Sequence, residues 1–151
     1  MRLIGRALGT TALFVLVAGV SVAGASGKFA SSEVIEFPSG NLVVTFDERG
    51  QNRFSSVDYQ LTATADATSC TTVNGETQCI AARTFPTDSA TGLVPDQMGR
   101  VSGSLTLASG AGVGGTVCGC TTLHMDYSDI TLTNLTSGRV YRLGPISADR
   151  P

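Results

Sequence analysis

Tryptophan is absent from the 151-residue chain, histidine and lysine occur once each, and charged residues make up only 15% of it. Each shortage excludes something. Without tryptophan, and with three tyrosines and six phenylalanines, the chain offers little from which to build an aromatic platform for sugar rings. With His124 as its sole imidazole and no Gly-x-Ser-x-Gly turn, it lacks the parts of a serine hydrolase. Lys28 and a scatter of arginines form no basic cluster able to displace counterions, which argues against nucleic acid and anionic lipid as partners. The glycine-rich run 110–115 has no Lys-Ser/Thr ending and opens no helical pattern, so it is not a phosphate loop.

What is present points first to export. Arg2 and Arg6 precede an apolar run from Ala7 to Ala23, and Ala23-Gly24-Ala25 supplies a small-residue cleavage pattern. Residues 1–25 read as a helical secretory signal peptide, with an uncleaved membrane anchor as the alternative. Cleavage after Ala25 leaves 8 basic against 12 acidic side chains, a net −4, and no later segment is apolar enough to hold a membrane. All four cysteines lie beyond the cleavage point, where an oxidising compartment favours disulfides.

The best organised stretch is Cys70-Thr-Thr-Val-Asn-Gly-Glu-Thr-Gln-Cys79. Asn74-Gly75 predicts a two-residue type I′ turn, which pairs Val73 with Glu76, Thr72 with Thr77, Thr71 with Gln78 and Cys70 with Cys79. The two sulfurs meet across the ladder at a pair where the backbones approach closely enough to be bridged.

Elsewhere the pattern is of short strands. Residues 26–32 read as a loose leader, Glu33–Phe37 and Asn41–Phe46 as strands about a Pro38-Ser39-Gly40 turn. Val57, Tyr59, Leu61, Ala63 and Ala65 alternate with polar residues, so one face is buried and one wet, and Phe54 is out of step with them. The second arm of the hairpin runs on through Ile80, Ala82 and Phe85. Pro86–Gln97 shows no periodicity and reads as a long loop. Gly99–Ala108, Thr116–Tyr127, Asp129–Leu135 and Arg139–Ile146 complete the set, the last two joined by Thr136-Ser137-Gly138. With no helical period after residue 25, the fold class expected is all-β: a single domain over residues 33–151, a two-sheet antiparallel sandwich of immunoglobulin-like or Greek-key type, with a partly open barrel as the alternative.

Cys118-Gly119-Cys120 invites a functional claim. On a strand, Cys118, Cys120, Thr122, His124 and Asp126 share one face, while Val117, Leu123, Met125 and Tyr127 share the other. The favoured role is structural, with Cys70, Cys79, Cys118 and Cys120 all in disulfides, in which Cys118 bridges Cys120 or the two pairs exchange partners. A thiol-redox pair, or a zinc or copper site from Cys118, Cys120, His124 and Asp126 with Met125 at hand, are the alternatives. The spacing matches no established zinc motif. Asp47, Glu48 and Asp58, and separately Asp126 and Asp129, are carboxylates that adjacent turns could gather for calcium or acid/base work, but their spacing matches no calcium loop and solvated turn charges are the favoured reading. Asn134-Leu135-Thr136 fits the N-glycosylation pattern and also an ordinary strand end.

These residues describe a small secreted domain of the bacterial extracellular kind. The expectation is a non-enzymatic role, without cofactor, in which the domain binds an extracellular protein or contributes to the extracellular surface through a loop edge such as Thr87–Gln97. A protease inhibitor that uses residues 87–97, and a thiol or metal protein centred on Cys118 and Cys120, are the other possibilities.

Overall fold

The structure is a computed structural model that describes residues 28–37, 39–109 and 122–150. The segment 1–25, expected as a signal peptide, the glycine-rich run 110–115 and both Cys118 and Cys120 lie outside the described residues. No helix among the described residues is long and apolar enough to cross a membrane.

Among the described residues, nine strands form two antiparallel sheets. β1 (Phe29–Glu36), β2 (Asn41–Glu48) and β6 (Val101–Leu107) make the smaller sheet in the order β1-β2-β6. The larger contains β3 (Val57–Val73), β4 (Glu76–Thr84), β5 (Thr87–Leu93), β7 (Thr122–Asn134), β8 (Arg139–Arg142) and β9 (Ile146–Arg150). β3 and β7 are its long central pair. On the outer side of β3, β5 pairs with residues 57–62 and β4 with 65–73. On the outer side of β7, β8 pairs with residues 131–134 and β9 with 123–127.

The larger sheet is therefore four positions wide, and each outer position is interrupted near a proline, Pro86 or Pro145, which has no amide hydrogen for a ladder. Counting each interrupted position once gives a three-on-four sandwich in which the chain crosses between sheets after β2, β5 and β6. This is the antiparallel sandwich expected from the sequence, with immunoglobulin-like connectivity.

The core forms where the inward parities of the two sheets meet. Leu42, Val44 and Phe46 of β2 and Val101, Leu105 and Leu107 of β6 face Val57, Tyr59, Leu61, Ala63, Ala65 and Ala67 of β3. Gly103 occupies the one β6 position where a side chain would not fit, since a Cβ there would lie 2.7 Å from Cζ of Phe46. Along β7 the inward set changes parity. Leu123, Met125 and Tyr127 are buried, then Ile130, Leu132 and Asn134. The cause is a bulge: Thr64 pairs with Ser128 and Thr62 with Thr131, so two residues of β7 oppose Ala63 alone, and Asp129 takes a φ of 51°.

Several expectations need correction. Residues 29–32 are not a leader, because β1 starts at Phe29 and Phe29 and Ser31 are buried. Thr116–Tyr127 and Asp129–Leu135 were expected as two strands, but from Thr122 to Asn134 they are one strand through the bulge, which conserves the ladder while switching the face. Arg139–Ile146 is two strands, β8 and β9, broken around Leu143-Gly144-Pro145. The largest correction concerns residues 86–97. Thr87–Leu93 is strand β5, and its polar composition hides it because backbone pairing to β3 holds it, with only Ala90 and Leu93 of its side chains packed against the core. Asp88 adds to this by accepting a 2.8 Å hydrogen bond from the Thr106 amide of β6, which joins the two sheets at that corner.

Candidate functional site

Three clusters of side chains stand out on this frame. The first is the projecting arm formed by the far ends of β3 and β4. Ala67 is the last buried residue of β3, which stays paired with β7 as far as Cys70 opposite Thr122, and from Thr72 round to Ala81 the side chains of the hairpin are exposed. The turn is the expected one, with Asn74 at φ 52° and Gly75 at φ 82°, and the register is Val73 to Glu76, Thr72 to Thr77, Thr71 to Gln78 and Cys70 to Cys79. Cys70 and Cys79 are joined by a disulfide, with their Cα atoms 4.1 Å apart.

Behind the disulfide, Arg83 clamps Asp66 across the strands through two hydrogen bonds of 2.7 and 3.0 Å, which hold the Asp66 carboxyl below the usual carboxylate range. Thr72 and Thr77 share a 2.9 Å hydroxyl contact nearer the tip. The arm presents apolar side chains to water all the same: Val73 is 60% exposed and Ile80 73%. Ile80 shares the inward parity of Ala67 and Ala82, but no described strand of the smaller sheet covers it, so the sequence pattern that suggested a core residue is misleading here.

The second cluster surrounds His124 on the outer face of the larger sheet. Its Nε2 lies 2.8 Å from Asp126 Oδ2, two residues along β7, and its Nδ1 lies 2.5 Å from Asp149 Oδ1 on β9. The ring is held best as an imidazolium that donates to both carboxylates, and the bond to Asp149 leads the upward shift of its pKa. Asp126 was foreseen as a neighbour; Asp149 was not, because it is 25 residues away and only the β7 to β9 ladder brings it close. With both nitrogens engaged, His124 has no free lone pair for a metal, and among the described residues no group of three or more His, Cys, Asp or Glu side chains is arranged to hold one.

The third cluster is buried. Glu48 is fully enclosed between the sheets, where its Oε2 accepts from the Tyr59 hydroxyl at 2.7 Å and the Asn134 amide at 2.9 Å. Its Oε1 accepts from Arg139 at 3.3 Å and from the Tyr141 hydroxyl. Burial, and then the adjacent carboxylate, raises the pKa of both phenols, that of Tyr141 to about 12. Phe29 stacks on Tyr141 with ring centroids 3.9 Å apart and covers this end of the sandwich. At the other end of the sandwich, the Tyr127 hydroxyl donates to the Gly40 carbonyl at 2.8 Å, so polar bonds tie the sheets at both ends.

The suggested carboxylate groups are dispersed. Asp47 faces outward and takes Arg100 and Ser102, Glu48 faces inward, and Asp58 accepts the Gly92 amide at 2.7 Å. Asp129 sits at the bulge, away from the His124 cluster. Asn134 of the glycosylation pattern is fully buried, with its amide on Glu48 and its carbonyl accepting from the Ser137 amide, so the strand-end reading holds in the folded chain.

The Glu48 cluster was missed as a unit, although its signal was legible. Glu48 continues the inward parity of Leu42, Val44 and Phe46, and a carboxylate at such a position needs donors from elsewhere in the core. Glu33 has the same inward parity on β1 but, among the described residues, Ser31 alone as a side-chain donor, at 2.8 Å, and burial pushes its carboxyl upward.

Against known proteins, the chain matches no protein-family model and no curated sequence.

Proposed function

We propose that this chain is an exported, non-enzymatic β-sandwich domain that binds an extracellular protein, and that its contact surface is the β3–β4 arm. The observation that carries this reading is the combination of apolar exposure and bracing on the arm: Val73 and Ile80 stand in water on a ladder held by a disulfide and by the Arg83–Asp66 pair. A rigid element loses little conformational entropy on binding, so exposed apolar side chains on it contribute more of their burial energy to affinity.

The segment 87–97 no longer serves as the contact loop, since most of it is strand β5 bonded along one side to β3. The protease-inhibitor alternative needed that segment free to enter a cleft, and it loses its motivation with the loop.

The combined substitution Val73→Ser with Ile80→Ser tests the arm directly. Both side chains are exposed, so folding should be unaffected, while any protein captured from culture supernatant by the wild-type chain should be lost. Undiminished capture by the double variant would refute the arm as the contact surface. Intact mass of the protein recovered from the medium tests the rest: a chain starting at Ser26 with four hydrogens lost and no metal agrees with export and full oxidation, whereas free thiols or a metal adduct would favour the reactive-thiol alternative.

A further inference from the structure

The edge of the arm narrows the kind of partner it fits. In an antiparallel ladder, residues alternate between pairs that exchange backbone hydrogen bonds and pairs whose N–H and C=O groups point away from each other. A two-residue turn makes Val73 and Glu76 a bonded pair, so Thr77, Cys79, Ala81 and Arg83 belong to the other kind. Their amides and carbonyls point away from β3, and β4 is the terminal strand of its sheet, with no further strand beyond it among the described residues.

Exposed strand edges are usually protected by proline, lysine, a bulge or a covering segment. Elsewhere such devices are present: Asp88 reaches across from β5 to the Thr106 amide of β6, Pro145 interrupts the outer position formed by β8 and β9, and the edge strand β1 carries the inward-pointing Glu33. From Glu76 to Thr84, β4 has no proline, no lysine and no register shift.

We infer that β4 pairs with β4 of a second copy of this chain, antiparallel about a twofold axis at Ile80. Twofold pairing is isologous, so the strand must complement itself. Centred on Ile80, Thr77 meets Arg83 of the other copy and Cys79 meets Ala81, so all four outward-pointing residues find partners and about eight backbone hydrogen bonds form. Moving the register by two residues in either direction leaves one of the four unmatched.

Side chains agree with the same centre. Ile80 meets Ile80 across the axis, Gln78 meets Ala82 and Glu76 meets Thr84, so an exposed apolar residue is covered and no like charges face each other. Arg83 keeps its own Asp66. The two four-position sheets become one continuous sheet with the arms at its centre. This pairing deepens the arm-contact function proposed above by naming a partner for the same surface.

Sedimentation velocity over a concentration series, on the protein as recovered from expressing cells, tests the pairing. A dimer is expected. Ala81→Pro removes an amide hydrogen that β3 does not use, and should weaken the dimer at least about tenfold. Ile80→Lys and Ile80→Glu should each be monomeric alone and form a dimer when mixed, a rescue that requires residue 80 to face residue 80. A wild-type chain that stays monomeric up to about 1 mM overturns the inference, as does a dimer indifferent to all three variants or one in which the mixture shows no rescue. The two proposals fail separately: a monomer whose captured protein is lost with Val73→Ser and Ile80→Ser overturns only the pairing. A dimer that retains its captured protein in that variant overturns only the proposed binding of a different protein.

Discussion

Strand β3 is held in opposite ways at its two ends. Near Tyr59 it is sealed into the sandwich around a buried carboxylate that receives four donors from β3, β7 and β8. Near Cys70 no described strand of the smaller sheet covers it, and a disulfide ties it to β4 instead. The first end gains its order from enclosure and loses it if any donor is orphaned; the second needs no enclosure and is correspondingly insensitive to packing. Burial and covalent closure thus substitute for each other within one strand of 17 residues.

The largest effect that would test this contrast is expected at Glu48. Glu48→Ala leaves the Tyr59 hydroxyl and Asn134 amide buried without their acceptor and should cost about 3–5 kcal/mol in urea denaturation. A loss below about 1 kcal/mol would mean that the enclosed end does not depend on its polar bonds.

Replacing Cys70 and Cys79 together by serine should cost less, about 2–3 kcal/mol on the loop-entropy model. The loss should also be local. Hydrogen exchange should accelerate at the arm amides and remain slow at Leu61 and Leu132; acceleration throughout would show that arm and sandwich open as one unit.

Gly103→Ala probes the enclosed end by crowding. The added Cβ would approach Phe46 to 2.7 Å, which should destabilise by about 1–3 kcal/mol, measured by thermal melting.

The smallest effect belongs to His124, whose side chain is 43% exposed. Its folded pKa lies above the ordinary 6.5, so the stabilisation is fully present below that value and fades as pH rises through the folded pKa. His124→Gln should therefore lose less than about 1 kcal/mol in mildly acidic urea titrations, solvent screening included, and nothing in alkaline ones. A difference that grows with pH would contradict the imidazolium clamp.

The hairpin, the inward residues of β2, β3 and β6 and the two-sheet class were all legible in the sequence, because each rests on local turn chemistry or on period-two alternation. β5 was not. Thr87–Leu93 carries no apolar alternation, and its strand conformation comes from the neighbour it pairs with. Asp149 was equally hidden, since nothing local links it to His124. Glu48 lay between these cases: its inward position could be read from Leu42, Val44 and Phe46, but its four donors depend on how β7 and β8 return.

The bulge at Asp129 has a consequence for how this chain can diverge. A single supernumerary residue exchanges the inside and outside of β7 halfway along its length, so losing that residue would aim Ile130, Leu132 and Asn134 at solvent while everything before Ser128 stayed correct. Point changes on the wet side of β7 are cheap for descendants of this sequence. Length changes between Leu123 and Asn134 are not, and a homologue should keep the count even where it keeps few of the letters.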